Sequence, residues 1–374
     1  MKKCVRFHER YKKGSKWKSD IGREFITVHW MVRLTTMVTE RCGGHITLLF
    51  SIWKESHLAR LQGSRGAGLN LADGVEATVK YLSTNQPEIE ARLSSGSQLD
   101  TPAGPVLDGE IQIDVVGMDG TEMLHSKQIY IDLVEELRIV RLLKREDSYH
   151  ICVELELPTS QGFGMSAAGL IAVARAFRML TKKGTEEQYF RIAHRIERMH
   201  GSGLGDVLGI SAKGVELRLE PGAPGSGGEV VSFTTNQPIL VTWKPEESRH
   251  TSEYIDDISW QRSISKAGER SISRLRLKDW TFDRWADLMF ESRNFADSSG
   301  LLEEQVRKEL LSTVQKEILL LDLQSRVNVR LCMLGVSLAI LPRRLDSPLV
   351  QNELESIADA LRAIGLGVRE TRIE

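Results

Sequence analysis

The stretch at residues 157–168, LPTSQGFGMSAA, constrains the fold more than any other part of the chain. The residues just before it, 151–157 (ICVELEL), alternate apolar and polar side chains as a β-strand does. From Gly164 onward the pattern becomes helical, with an apolar stripe at Leu170, Val173, Ala174, Phe177 and Leu180. A strand, a glycine loop and a helix start can hold phosphate, because glycines let backbone N–H groups approach an anion and the helix dipole favours negative charge there. An ordinary tight strand-to-helix turn has the same spacing, so both interpretations stay open on these residues alone.

Composition excludes several classes of protein. The chain has 374 residues, of which 41% are hydrophobic and 27% charged, as in an ordinary globular protein of one or two domains. A formal net charge of -1 gives no global attraction to nucleic acid or to an anionic membrane. The apolar runs are far too short for a transmembrane helix. Four scattered cysteines without a CxxC pair indicate neither a zinc site nor a disulfide framework, and they predict a cytoplasmic protein.

Residues 1–36 differ from the rest of the chain. They contain ten Lys or Arg and three Asp or Glu, with little periodicity. We interpret them as a basic N-terminal extension that is a flexible tail or precedes the true start, with Met31 or Met37 as the initiator. A basic arm or targeting segment is the alternative.

Two acidic residues follow the glycine loop. A helix is predicted to begin at a capping box formed by Thr185 and Gln188. Glu197 lies near its end, where a carboxylate gains nothing from the helix dipole, so either a metal ion compensates it or it is a solvated edge residue. Asp206 follows a glycine-rich loop, which either presents its carboxylate to a ligand or uses it to cap the next turn.

A basic candidate lies upstream, where Gly63, Gly66 and Gly68 surround Ser64 and Arg65. A guanidinium between glycines can bind a carboxylate through two hydrogen bonds. The alternative is a surface arginine in a glycine hairpin between two strands.

The glycine loop resembles the second motif of the GHMP kinases, Pro-x-x-x-Gly-Leu-Gly-Ser-Ser-Ala-Ala. The matching residues are Pro158, Gly162, Gly164, Ser166, Ala167 and Ala168. Phe163 stands for the Leu of the motif, and Met165 stands for its first Ser. Glu197, the glycine-rich loop and Asp206 also follow in the order found in this family.

The resemblance implies an ATP-dependent kinase and assigns roles residue by residue. The ATP-binding loop would comprise Pro158, Gly162, Phe163, Gly164, Met165, Ser166 and Ala167. Ser166 and Glu197 would hold Mg²⁺, and Asp206 would orient or deprotonate the hydroxyl group of the substrate. Asp206, Ser166 and Glu197 are thus the predicted catalytic residues.

Within this superfamily, several short segments are similar to the archaeal pantoate kinases. They are residues 44–47 (GHIT), 63–68 (GSRGAG), 205–207 (GDV), Gly214, Arg218 and 221–225 (PGAPG). The similarity implies phosphorylation of the 4-hydroxyl of (R)-pantoate, a step toward coenzyme A, with Arg65, Ser64 and His45 binding the carboxylate. His45 is equally interpretable as a satisfied buried histidine. The alternatives are a kinase for another small hydroxy acid, of the mevalonate or shikimate type, and a catalytically silent sensor with this fold.

Strands and helices in mixed order predict an α+β protein. The resemblance implies two domains: residues 37–235, like domain 2 of ribosomal protein S5, and residues 236–374, ferredoxin-like, with the site between them. We expect a small-molecule substrate and neither a nucleic acid nor a membrane partner. A homodimer is compatible with the sequence, which does not fix the oligomeric state.

Overall fold

The structure is a computed structural model that describes residues 36–84, 108–247 and 257–374. The interpretation of residues 1–36 as an extension therefore lies outside the described residues, apart from Thr36. The helices are α1 (Gln128–Ile139), α2 (Met165–Thr181), α3 (Glu186–His200), α4 (Asp206–Ala212), α5 (Ile258–Leu275), α6 (Trp285–Ser298), α7 (Gln305–Leu320) and α8 (Gln351–Ala363). The strands are β1 (Met37–Trp53), β2 (Gly63–Thr84), β3 (Ile111–Val116), β4 (Asp147–Leu155), β5 (Val215–Glu220), β6 (Ala223–Pro224), β7 (Gly227–Phe233), β8 (Pro238–Trp243), β9 (Val327–Leu331), β10 (Ser337–Pro342) and β11 (Gly367–Arg372).

The first sheet contains the residues that carry the predicted chemistry. Its strand order is β3-β4-β2-β5-β7-β6, with β1 paired to β2. The pair β3–β4 is parallel, while β2 is antiparallel to β1, β4 and β5. Helix α2 packs on β1 and β2 through its apolar stripe, and α3 packs on α2. The glycine loop therefore leaves β4 at one end of this layer and enters α2.

Strand β1 is irregular at two points. Its pairing register with β2 shifts between Gly43 and His45 and again between Thr47 and Leu49. A β-bulge re-aims the side chains beside it, and bulges are frequent near binding sites. The shifts bracket His45 and Thr47, so pairing with β2 decides which way these two side chains point.

The alternative interpretation of Arg65, a surface arginine in a glycine hairpin, is wrong. Residues 63–84 form one continuous strand, β2, rather than two segments joined by a turn. The glycines lie close to the backbone of the neighbouring strand β1. A Cβ on Gly66 would lie 2.5 Å from the Leu49 carbonyl oxygen, and one on Gly68 would lie 2.4 Å from the Ile46 carbonyl oxygen. Glycine thus serves close strand packing here, not chain reversal.

The second sheet has the strand order β11-β8-β10-β9, antiparallel throughout. Numbered along this part of the chain, that order is 4-1-3-2, the arrangement of a ferredoxin-like βαββαβ unit. Together with the first layer it confirms the predicted α+β class. Helix α5 follows β8, and serines and charged residues dilute its buried stripe of Ile264, Ala267, Ile272 and Leu275.

The two sheets meet at the glycine loop. In the turn at residues 332–335, after β9, the backbone N–H of Met333 donates to the Thr47 carbonyl of β1 at 3.0 Å. The Ser337 hydroxyl donates to the Gln161 carbonyl in the loop. A Cβ on Gly335 would lie 2.1 Å from that same carbonyl oxygen, so the contact is tight. The second sheet therefore supports the loop from behind.

Candidate active site

The glycine loop forms one wall of a cavity of about 450 Å³. Gly162 and Gly164 have φ of +75° and +66°, values that an L side chain rarely adopts, and Gly164 is the residue before the first turn of α2. The loop residues that line the cavity are Pro158, Thr159, Ser160, Gly162, Phe163, Gly164, Met165, Ser166 and Ala167. Every residue predicted for the ATP-binding loop therefore borders this cavity, and the N-terminus of α2 opens into it.

Met165, which replaces the first Ser of the family motif, is accommodated by Gly44. The Met165 side chain is buried against β1, and a Cβ on Gly44 would lie 2.6 Å from its Cε atom. A small residue at position 44 thus leaves room for a large one at position 165.

Glu197 lies on α3, which begins at Thr185 with the predicted capping box. The Glu197 carboxylate is fully buried, so it is not a solvated edge residue. Neither of its oxygens has a hydrogen-bond partner within hydrogen-bonding geometry in the described part of the chain. Burial, and secondarily the charge of Asp206, raise the pKa of Glu197 to about 8.

Asp206 is the first residue of α4 and stands beside Glu197. A Cβ on Gly203 would lie 2.4 Å from Glu197 Oε1 and 2.7 Å from Asp206 Oδ2, so the two carboxylates flank one glycine. The Asp206 side chain is 23% exposed and borders the cavity, whereas Glu197 lies behind it. Asp206 is thus placed to touch a bound substrate directly.

A buried histidine controls the charge of Asp206. His45 Nδ1 lies 2.8 Å from Asp206 Oδ1, and His45 Nε2 lies 3.0 Å from Glu216 Oε1. Burial alone would lower the pKa of His45, but these hydrogen bonds and the two negative charges raise it. Burial alone would likewise raise the pKa of Asp206, but the hydrogen bond from His45 and the charges of His45 and Arg218 hold it below its usual value. Asp206 therefore stays ionised.

Arg218, on β5, is the cation of the site. Its guanidinium donates to the Ser64 hydroxyl at 2.9 Å and to the Thr47 hydroxyl at 3.2 Å, and its Nε lies 3.3 Å from Glu216 Oε1. All three of Arg218, Ser64 and Thr47 border the cavity. Arg218 is 1% exposed, so its charge acts in a poorly solvated environment.

Arg65 lies outside the cavity lining. Side chains alternate along a strand, so Ser64 and Arg65 point to opposite faces of β2. The Arg65 guanidinium is bound by Glu220 at 2.6 Å and Glu269 at 3.2 Å, and it stacks 4.4 Å from the centre of the Trp53 ring. It ties α5 to the first sheet.

The structure thus brings Ser166, Glu197, Asp206 and Ser64 together, and it places His45 behind them rather than in the cavity wall.

The sequence analysis did not identify three further site residues, which are Arg218, Glu216 and Thr47. The signal for two of them was present in VELRLE, residues 215–220. There a charged residue occupies every second position of a strand, and both Glu216 and Arg218 prove to be buried.

The residues present fit a magnesium ion. The fit rests on the Glu197 carboxylate, whose two buried oxygens accept no hydrogen bond, and on the hydroxyl of Ser166, which borders the cavity at the start of α2. Both supply oxygen, the ligand that Mg²⁺ prefers. No group of three or more His, Cys, Asp or Glu side chains suited to a metal occurs in the described ranges.

The family model described as "GHMP kinases N terminal domain" matches residues 132–214. The match spans α1 through α4, and it includes the glycine loop, Glu197 and Asp206. The chain is therefore similar to the GHMP kinases over these residues, and the match and the kinase relatives support an ATP-dependent small-molecule kinase.

The chain is also similar to curated pantoate kinases and to one solved phosphotransferase. The chain is 28% identical to the pantoate kinase of Methanocaldococcus jannaschii, over 54% of this chain and 73% of that protein. It is 26% identical to the pantoate kinase of Methanospirillum hungatei, over 84% of this chain and 90% of that protein. A solved structure described as a phosphotransferase related to the CoA biosynthesis pathway shares the fold, with a TM-score of 0.63 at 23% identity, over 90% of this chain and 96% of that one.

No helix in the described parts of the chain is long and apolar enough to cross a membrane.

Proposed function

We propose that this chain transfers the γ-phosphoryl group of ATP to the 4-hydroxyl of pantoate. The observation that carries the proposal is the arrangement of one cavity: a glycine loop at a helix start, an ionised Asp206 and the buried cation Arg218 all border it. A kinase for a small hydroxy acid needs a phosphate site, an acceptor for the hydroxyl proton and a cation for the carboxylate. The pantoate kinases named above support pantoate as that acid.

The phosphate end is formed by backbone groups. The N–H groups of residues 162–166 and the α2 dipole attract the triphosphate. One part of the wall is apolar, formed by Val115, Met123, Ile129 and Leu155, and it suits a planar base. Ser166 and Glu197 would hold Mg²⁺, which neutralises phosphate charge when bound.

The acceptor end orients pantoate from two sides. Arg218, with the Ser64 and Thr47 hydroxyls, binds the carboxylate, and Asp206 accepts a hydrogen bond from the 4-hydroxyl. The new bond joins the 4-oxygen to the γ-phosphorus, the bond from that phosphorus to the ADP oxygen breaks, and the hydroxyl proton passes to Asp206. Because its pKa is low, Asp206 takes the proton late in the transfer and acts mainly by orientation.

The test is phosphoryl transfer by the purified protein with ATP, Mg²⁺ and pantoate. We expect ADP formation that depends on pantoate and a product whose ³¹P signal is split by the two protons of the C4 methylene group. Splitting by a single proton would instead place the phosphate on the 2-hydroxyl. A larger kcat/KM for mevalonate, homoserine or shikimate than for pantoate would overturn the substrate assignment, and binding of both ligands without ADP formation would indicate a silent sensor.

A further inference from the structure

His45 connects the two halves of the acceptor site. Its ring nitrogens reach Asp206 on α4 at 2.8 Å and Glu216 on β5 at 3.0 Å. The same Glu216 oxygen lies 3.3 Å from Arg218 Nε. A continuous chain of contacts therefore runs from the arginine, through Glu216 and His45, to the aspartate.

The imidazole ring of His45 is packed closely against the backbone of neighbouring elements. Its side chain is fully buried, and three glycines approach it from different elements. A Cβ on Gly209 would lie 2.5 Å from His45 Nε2, one on Gly68 would lie 2.7 Å from that atom, and one on Gly164 would lie 3.1 Å from His45 Cβ. The ring is therefore packed closely against three backbone segments, which restrain the directions of its hydrogen bonds.

The backbone of His45 also contacts the phosphate loop, because its N–H donates to the Phe163 carbonyl at 2.9 Å. The same residue thus touches the loop before α2, the aspartate at the start of α4 and the partner of Arg218.

We propose that His45 is a positioning residue that donates from both ring nitrogens, fixing Asp206 toward the acceptor hydroxyl and tying it to the carboxylate-binding Arg218 through Glu216. Only a doubly protonated imidazole can donate to two carboxylates at once. The charged groups that face the ring are Asp206 from α4 and Glu216 from β5, with Arg218 beyond the latter. The proposal rests on the proposed function for the identity of the acceptor and for the roles of Asp206 and Arg218.

Two substitutions separate the contacts. An asparagine amide reaches about as far as Nδ1, so His45→Asn keeps a donor toward Asp206 and loses the one toward Glu216. A glutamine amide reaches about as far as Nε2, so His45→Gln does the reverse. We expect His45→Gln to lower kcat by about 10²-fold, the cost of a misplaced reacting group. For His45→Asn, we expect kcat of the wild-type order and a raised KM for pantoate.

The matched controls are His150→Asn and His150→Gln. His150 Nε2 lies 2.8 Å from Asp114 on the neighbouring strand, and neither residue borders the cavity, so both controls should keep wild-type kinetics. Equal losses of kcat in the two His45 variants, in step with lowered thermal midpoints, would show a structural role only. Unchanged kinetics in both would also overturn the proposal.

A second readout does not depend on the acceptor. In ¹⁵N-histidine NMR of the wild-type protein near neutral pH, both ring nitrogens of His45 should carry protons, and the Nδ1 signal should shift in Asp206→Asn. An unprotonated ring nitrogen would overturn the double donation. Failure of wild-type protein to phosphorylate pantoate would instead overturn the proposed function, and the NMR result would stand by itself.

Discussion

Asp206 and Glu197 are neighbouring carboxylates whose surroundings push their pKa values in opposite directions. His45 and Arg218 hold the pKa of Asp206 low, whereas burial and the charge of Asp206 raise that of Glu197 to about 8. Such divergence is typical of functional acid pairs, because each environment prepares its carboxylate for a different task. We assign orientation of the hydroxyl to the ionised member and magnesium binding to the buried one.

Asp206→Asn tests the first assignment. The amide keeps the size of the side chain but cannot accept the hydroxyl proton, so kcat should fall by roughly 10²–10⁴-fold with the KM for ATP kept. Steady-state kinetics measure this, and Asp114→Asn, which removes a carboxylate beside His150, is the control expected to be neutral. Near-normal turnover of Asp206→Asn would refute the role.

Arg218→Gln and Arg65→Gln form a second test. Both remove a guanidinium from the region of β2 and β5, but only Arg218 borders the cavity. A charge-assisted hydrogen bond is worth about 1.5–3 kcal/mol, so Arg218→Gln should raise the KM for pantoate roughly 10- to 100-fold, leaving that for ATP nearly unchanged. Arg65→Gln should affect stability only. A pantoate KM that rises with Arg65→Gln and not with Arg218→Gln would indicate that Arg65, rather than Arg218, binds the carboxylate.

At the scale of elements, the glycine loop and α2 show which features can be predicted from local sequence patterns. The strand, the loop, the helix start and the capping box of α3 follow the sequence prediction, because each depends on residues close together in the chain. The apolar stripe of α5 is sparse and gives little local signal, and the glycines of β2, for which a hairpin was the alternative interpretation, serve close contacts with β1.

Gly164→Ala tests the loop geometry. At φ of +66° an alanine costs about 1–2 kcal/mol, and its Cβ would meet His45 atoms at 3.0–3.1 Å. The loop should shift and the KM for ATP should rise. Gly365→Ala is the matched control, since Gly365 has φ of +85° at the end of α8 with nothing within 4 Å. It should lower the thermal midpoint without changing either KM, and an equal KM effect in both variants would contradict the loop assignment.

At the scale of the whole molecule, the site exists because distant elements converge. Its residues come from β1, β2, β5, α3 and α4, and the turn after β9 packs on the glycine loop from the second sheet. Folding thus brings buried charged groups together, so the free energy of unfolding depends on the charges of the site residues.

The pH dependence of stability follows from His45. Its pKa is about 6.5 in the unfolded chain and is raised in the folded protein. The pairing with Asp206 and Glu216 thus stabilises the fold fully below about pH 6.5, and this contribution is lost as the pH rises through the raised pKa. The free energies of unfolding of wild type and His45→Gln, measured by denaturant titration from about pH 6 to about pH 9, should converge with rising pH, by at most about 1.4 kcal/mol per pH unit. A gap that widens with rising pH would contradict the raised pKa.

The sequence by itself determined the local features: the strand that enters a glycine loop, the helix that follows it, and the order of Ser166, Glu197 and Asp206. These features depend on backbone preferences and on the periodicity of side chains over a few neighbouring residues, so they can be inferred from short stretches of sequence. Only the tertiary structure decided that Arg218 rather than Arg65 faces the cavity, and that His45 binds two carboxylates more than 160 residues away. Strand pairing sets which face each side chain occupies, and a register shift beside His45 changes that face without leaving a sign in the local sequence.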